Sequence, residues 1–221
     1  MELDYLIREL NRSYPLRIEH IKLHREMIGS VYFAEGGGNR YMLKIYRSFK
    51  TADALQSVRI LEYLQANSYP AASVLRTVRG ESHLLLDHHG EWCPAVLYNY
   101  IGGDTPDGVA EAARIGQQTG ELHKLMQRYP DQLIQRPRTE YIDDYLSIMR
   151  ELDSDPGQIL DLEHYGHELW GRISPLPRHF CHGDLHTGNM IRNRRGEYVL
   201  FDFHELAGAL SEEAHEPYPL I

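Results

Sequence analysis

The sequence predicts an α+β chain of two lobes, a small N-terminal antiparallel sheet with one helix and a mostly helical C-terminal lobe. Three observations lead there. Apolar and polar residues alternate in short runs up to Tyr46, helical spacing dominates after Thr105, and Gly102-Gly103 interrupts the chain between them.

The elements can be justified in order. Leu3, Leu6, Ile7 and Leu10 recur at helical spacing, so Met1 to Asn11 is expected to form a short helix. Ile18 to Arg25 alternates as a strand, and Val31 to Glu35 and Arg40 to Tyr46 read as a hairpin around Gly36-Gly37-Gly38. These glycines suit a turn better than a phosphate cradle, because a strand follows them directly and they lack G-x-G-x-x-G spacing. A nucleotide-covering bend is expected instead at Met27-Ile28-Gly29-Ser30, where backbone amides and the Ser30 hydroxyl would approach phosphate oxygens.

On the strand Arg40 to Tyr46, Lys44 shares a side with Met42 and Tyr46, while Leu43 and Ile45 take the other. A cation on so apolar a strand needs a partner. Glu62 is the candidate: in a helix from about Ala52 to Ala66 it falls on the stripe of Leu55 and Val58, where a carboxylate also needs a partner. Local pairing of Glu62 with Arg59 is the alternative.

Further strands are expected at Val74 to Val78 and Ser82 to Asp87. A third apolar run, Ala95 to Ile101, ends at Gly102-Gly103, the expected boundary between lobes 1–101 and 102–221. Tyr98 and Tyr100 lie on that run and are placed to line a cleft. Thr105-Pro106-Asp107 is expected to open a helix, with a capping hydroxyl, a proline in the first turn and a carboxylate near the positive end. Ala112, Gly116 and Gly120 then form a row of small residues that would admit a neighbouring helix, with His123 following as a core histidine. Helices from about Glu140 to Leu152 and from Gln158 to Ile173 complete the series, ended by Pro175 and Pro177.

Composition bounds the function. A chain with 42% hydrophobic residues can bury one sizeable core or two small lobes, which excludes a disordered tail. Cys93 and Cys181 are its only cysteines, and neither a signal-peptide pattern nor a membrane-length apolar run is visible, so a reducing cytoplasm is expected. The net charge of −9 argues against nucleic acid as a partner and inclines toward a cationic small molecule, although it also serves plain solubility.

The chemistry concentrates in His182-Gly183-Asp184-Leu185-His186-Thr187-Gly188-Asn189, with Asp202 following at the end of an apolar run. These residue types suit phosphoryl transfer, which asks for positioning and charge neutralisation more than covalent work. Asn189 and Asp202 offer the hard oxygen ligands that magnesium prefers. Asp184 is then left as the base that accepts a proton from an attacking hydroxyl.

Residues 182–189 as H-G-D-L-H-T-G-N, with Phe201-Asp202-Phe203 behind them, resemble the aminoglycoside phosphotransferase/choline kinase family, small-molecule relatives of the protein kinases. Upstream segments agree in order. Tyr41-Met42-Leu43-Lys44-Ile45 resembles the strand with the phosphate-binding lysine, and Ile60-Leu61-Glu62-Tyr63-Leu64 the helix whose glutamate pairs with it. Pro70-Ala71-Ala72-Ser73-Val74-Leu75, Tyr98-Asn99-Tyr100-Ile101-Gly102-Gly103 and Gly120-Glu121-Leu122-His123 resemble the next strand, the hinge and a helix of the larger lobe.

The resemblance covers roughly residues 18–208 and implies a bilobal protein-kinase-like fold. It further implies transfer of a γ-phosphoryl group from ATP or GTP, with magnesium, to a small-molecule hydroxyl. In that scheme Lys44 holds the α and β phosphates, Glu62 orients it, Asn189 and Asp202 hold the metal, and Ser30, Tyr98 and Tyr100 line the nucleotide site.

Two other classes of function stay open. His179, Cys181, His182, Asp184, His186 and His204 are metal-ligand types, from which a transition-metal hydrolase could be built. A catalytically silent nucleotide-binding relative is the other. It is suggested by the short run after Asp202 and by Phe203-His204-Glu205, which departs from the family's acidic residue two positions after the metal aspartate.

Overall fold

The structure, a computed structural model, describes residues 3–27, 29–88, 90–176, 178–203 and 207–210. The chain divides into two compact units, Met1–Gly120 with Asp184–His204, and Glu121–Gly183 with Glu205–Ile221.

In the first unit, β1 (His20–Glu26), β2 (Gly29–Gly36), β3 (Asn39–Tyr46), β4 (Leu84–His88) and β5 (Glu91–Asn99) form an antiparallel sheet in the order β1-β2-β3-β5-β4. The β2–β3 turn is Gly37-Gly38, with φ of 58° and 77°, a left-handed pair that glycine enters at little cost.

Strand alternation gives this sheet two different faces. Tyr32, Ala34, Leu43, Ile45 and Leu97 point into a core with Leu6 and Leu10 of α1 (Leu3–Ser13) and with Tyr14 just after it. Burial there pushes the Tyr14 phenol up to about 12. Val31, Met42, Lys44 and Tyr98 take the opposite face and line a cleft. Helix α2 (Thr51–Ala66) buries Val58, Ile60, Leu61 and Leu64 and brings Ser57 and Leu61 to that cleft.

Four expected features change. The segment expected as a strand at Val74 to Val78 makes a single bridge, Val74 to Tyr98, with backbone bonds from Leu75 N to Leu97 O and from Asn99 N to Ser73 O. At Thr105-Pro106-Asp107 the chain first turns. Asp107 Oδ1 accepts from Val109 N and Ala110 N, and α3 (Ala112–Met126) begins only after that turn. The row of small residues on α3 is open: among the described residues nothing lies within 4 Å of a Cβ placed on Gly116 or Gly120. His123 is exposed rather than a core residue.

The second unit contains α4 (Asp144–Glu151), entered through a π-helical turn at Thr139–Asp143, and α5 (Pro156–Ile173). Asp155 caps α5 by accepting from Gln158 N at 2.9 Å, with Pro156 in the first turn. Strand β6 (Arg178–Cys181) pairs antiparallel with the later strand at Ala207–Leu210. Between them the chain returns to the first unit as a hairpin of β7 (Met190–Arg192) and β8 (Tyr198–Leu200), which makes the last strand β9. No helix among the described residues is long and apolar enough to cross a membrane.

Candidate active site

Within the first unit, the β7–β8 hairpin is held to the Pro70–Ala72 segment by backbone bonds. Ala72 N donates to Leu200 O at 2.8 Å and Leu200 N donates to Pro70 O at 3.1 Å. On its other side Tyr198 is clamped by Gln118, whose Nε2 donates to Tyr198 O at 2.5 Å and whose Oε1 accepts from Tyr198 N at 3.0 Å.

A third tie runs through Glu111. It accepts from Tyr198 Oη at 2.6 Å and from Arg192 Nη1 at 2.8 Å. The Tyr198 hydrogen bond, helped by the Asp107 backbone and the Arg192 charge, holds the Glu111 carboxyl below its ordinary range. Sequence reading missed Gln118 and Glu111 because neither belongs to a motif, and their partners lie far along the chain.

Phe201 N donates to Asn189 O at 3.1 Å, which joins the end of the hairpin to the loop. The next residue, Asp202, has φ of 64°, a left-handed conformation uncommon outside glycine. Its carboxylate meets Lys44 Nζ at 2.5 Å, with side-chain exposures of 25% and 12%. The Lys44 ammonium also stands 4.9 Å from the Tyr46 ring. Lys44, Asn189 and Asp202 therefore line one cleft of about 320 Å³, together with Tyr98 and Tyr100.

Asn189 is buried and donates Nδ2 to Asp184 O at 2.9 Å and to Asp184 Oδ2 at 2.8 Å. This turns its Oδ1 away from Asp184. The donor set suits magnesium, because an amide oxygen and a carboxylate are hard ligands that leave places for water and phosphate. Asp184 itself is half-exposed, with His186 Nε2 at 3.6 Å from its Oδ2. His186 in turn accepts from Gly188 N through Nδ1 at 3.0 Å, bracing the turn.

The remaining expected residues fall differently. Glu62 pairs with Arg76 at 2.5 Å, across 14 positions of sequence, while Lys44 meets Asp202. Ser30 is not in a bend. It lies in β2 opposite Ile45, on the α1 face, and is buried. The alternation that sends Lys44 into the cleft sends Ser30 away from it.

Tyr98 is buried, shares a 3.0 Å hydrogen bond with the Tyr46 hydroxyl, and has its phenol pushed well up by desolvation. Tyr100 carries the Arg40 guanidinium 4.0 Å above its ring. Of the possible transition-metal ligands, His182 is buried and His204 lies outside the described residues. No group of three or more His, Cys, Asp or Glu among the described residues could hold a metal ion.

The five-stranded sheet with its helix and the loop and hairpin that follow define a protein-kinase-like fold, and solved structures share it. An amicoumacin kinase, hAmiN, in complex with AMP-PNP, Ca2+ and Ami superposes with a TM-score of 0.76 at 19% identity, covering 94% of this chain and 65% of that one. A choline kinase, LicA from Streptococcus pneumoniae, gives 0.65 at 17% identity over 92% of this chain and 69% of its own. A spectinomycin phosphotransferase, in complex with ADP and spectinomycin, gives 0.63 at 14% identity, over 94% and 70%.

Residues 20–208 match the phosphotransferase enzyme family, and the chain belongs to it. An uncharacterized protein of Synechocystis sp. is 24% identical over 197 residues, 80% of this chain and 52% of that protein. The chain thus spans about half the length of that relative and 65% of the amicoumacin kinase.

Proposed function

We propose that this protein moves the γ-phosphoryl group of ATP to a hydroxyl of a small molecule, with cationic acceptors of aminoglycoside or choline type favoured by its net charge of −9. The observation that carries this reading is the convergence of Lys44, Asn189 and Asp202 on one cleft. They come from a sheet strand, a loop and the end of a hairpin, yet offer one cation and two oxygen ligands to the same space. Magnesium, when bound, would neutralise phosphate charge and align the triphosphate.

The chain's own groups supply the rest. Lys44 binds phosphate oxygens once the nucleotide draws it from Asp202. Asp184 accepts the hydrogen bond of the acceptor hydroxyl and takes its proton as the oxygen forms a bond to the γ-phosphorus, while the bond to the β-phosphate oxygen breaks and ADP leaves. The Asn189 amide keeps the Asp184 carboxylate aimed, at 2.8 Å. A cytoplasmic site of action and magnesium as the working ion belong to the same proposal.

The test is a magnesium-ATP phosphorylation screen over aminoglycosides, choline-like amines, amino alcohols and sugars. Transfer is expected in the wild type and its loss in Asp184→Asn, at unchanged nucleotide affinity. Nucleotide binding with no acceptor modified would favour a catalytically silent relative. Asp184→Asn with full activity would remove Asp184 as the base.

A further inference from the structure

Arg25 enters the cleft through an irregularity that strand alternation does not foresee. β1 pairs with β2 in one register from His20–Glu35 to Leu23–Tyr32 and in another at Arg25–Val31 and Glu26–Ser30, which leaves His24 as the extra residue of a β-bulge. Had the first register continued, His24 would oppose Val31, and Arg25 would oppose Ser30 on the buried α1 face. The bulge moves Arg25 across the sheet.

Arg25 now stands in one row with Val31 and Lys44, because Arg25 opposes Val31 and Val31 opposes Lys44. Cross-strand partners share a face, and two strand spacings put the Arg25 and Lys44 backbones about 10 Å apart. Both side chains line the cleft. His24 stays on this side too, its ring 4.5 Å from that of Phe33. Among the described residues no carboxylate pairs with Arg25. Its Nε donates to Met27 Sδ at 2.8 Å, a weak acceptor, which leaves both Nη groups for a ligand.

We infer that Arg25 is a second phosphate-binding cation, holding the terminal phosphate of a nucleoside triphosphate from the β1 side while Lys44 holds the inner ones. The inference rests on the phosphotransferase reading and adds a residue that no motif marks. A planar guanidinium can give two parallel hydrogen bonds to one phosphate, which a lysine cannot. Two cations spaced along one row match a chain of phosphates better than a single one.

Calorimetric titration of ATP, ADP and AMP, each with magnesium, into the full chain tests this in wild type, Arg25→Gln and Lys22→Gln. Lys22 lies on the same strand and carries the same charge but does not line the cleft. ATP affinity is expected to fall about tenfold or more in Arg25→Gln, with AMP affinity unchanged and Lys22→Gln like wild type. Unchanged ATP affinity in Arg25→Gln would overturn the role of Arg25 and leave the phosphotransferase reading standing. An equal loss in Lys22→Gln, or for AMP, would also overturn it, since the effect would then be net charge or general disturbance of the cleft. Wild-type protein that binds no magnesium-ATP would overturn both readings.

Discussion

The Lys44–Asp202 pair gives a prediction whose size follows from its geometry. At 2.5 Å the Coulomb attraction is about 1.7 kcal/mol at the permittivity of water and about 6.6 kcal/mol at an effective value near 20. Desolvation offsets much of the larger figure, because the two side chains retain only 12% and 25% of their exposure. Fully exposed pairs are worth up to about 1 kcal/mol. A coupling of about 1–2 kcal/mol is therefore expected for this partly buried pair in the nucleotide-free protein.

Urea unfolding of wild type, Lys44→Met, Asp202→Asn and the double variant measures that coupling as a double-mutant cycle. Magnesium-nucleotide at about 100 times its Kd should add about 2.7 kcal/mol to the wild type and much less to Asp202→Asn. Single-variant losses that simply add, to within about 0.5 kcal/mol, would refute the claim that the two charges hold each other in the free cleft.

Other outcomes test the surroundings of the site. Gln118→Leu leaves the buried Tyr198 N–H and C=O unpaired and should cost about 2–4 kcal/mol, lowering Tm by roughly 5–10 °C in a thermal scan. Gly36→Ala should destabilise strongly, because its Cβ would lie 1.8 Å from Arg17 O, whereas Gly116→Ala on the open face of α3 should stabilise by about 0.5–1 kcal/mol; equal denaturation midpoints for the two would contradict the packing described. Glu111, held below its ordinary 4.5, adds stability above that value that is lost as pH falls through its folded value, so Glu111→Gln should flatten the acid side of the stability curve below about pH 4.5. An acid limb unchanged by that substitution would show that Glu111 gains nothing from Tyr198 and Arg192.

Local pattern reached far into this fold. Alternation in Arg40 to Tyr46 was enough to put Lys44 on the side opposite Leu43 and Ile45, since a strand has only two sides, and those are the cleft and the α1 core. The glycine pair at the β2–β3 turn, the α2 helix and α5 are likewise written in short-range spacing. The residues Asp184 and Asn189 could be placed on one loop because they are near neighbours in sequence, but the Nδ2 hydrogen bond at 2.8 Å that joins them was not foreseen.

Which charge meets which could not be read that way. Glu62 and Lys44 looked like partners because each needed one, but an ion pair is chosen by side-chain reach in three dimensions, and Arg76 lies closer to hand for Glu62 while Asp202 reaches Lys44. The same limit hid the Gln118 clamp, the Glu111 tie and the bulge at His24, each of which depends on residues distant in sequence or on a register shift with no composition of its own. The sequence alone determined most of the element types, the sidedness of β3 and the inventory of chemical groups, because those follow from local periodicity and residue type. Tertiary packing decided the pairings, the left-handed turn at Asp202 and the entry of Arg25 into the cleft, because these are settled by contacts between segments that only folding brings together.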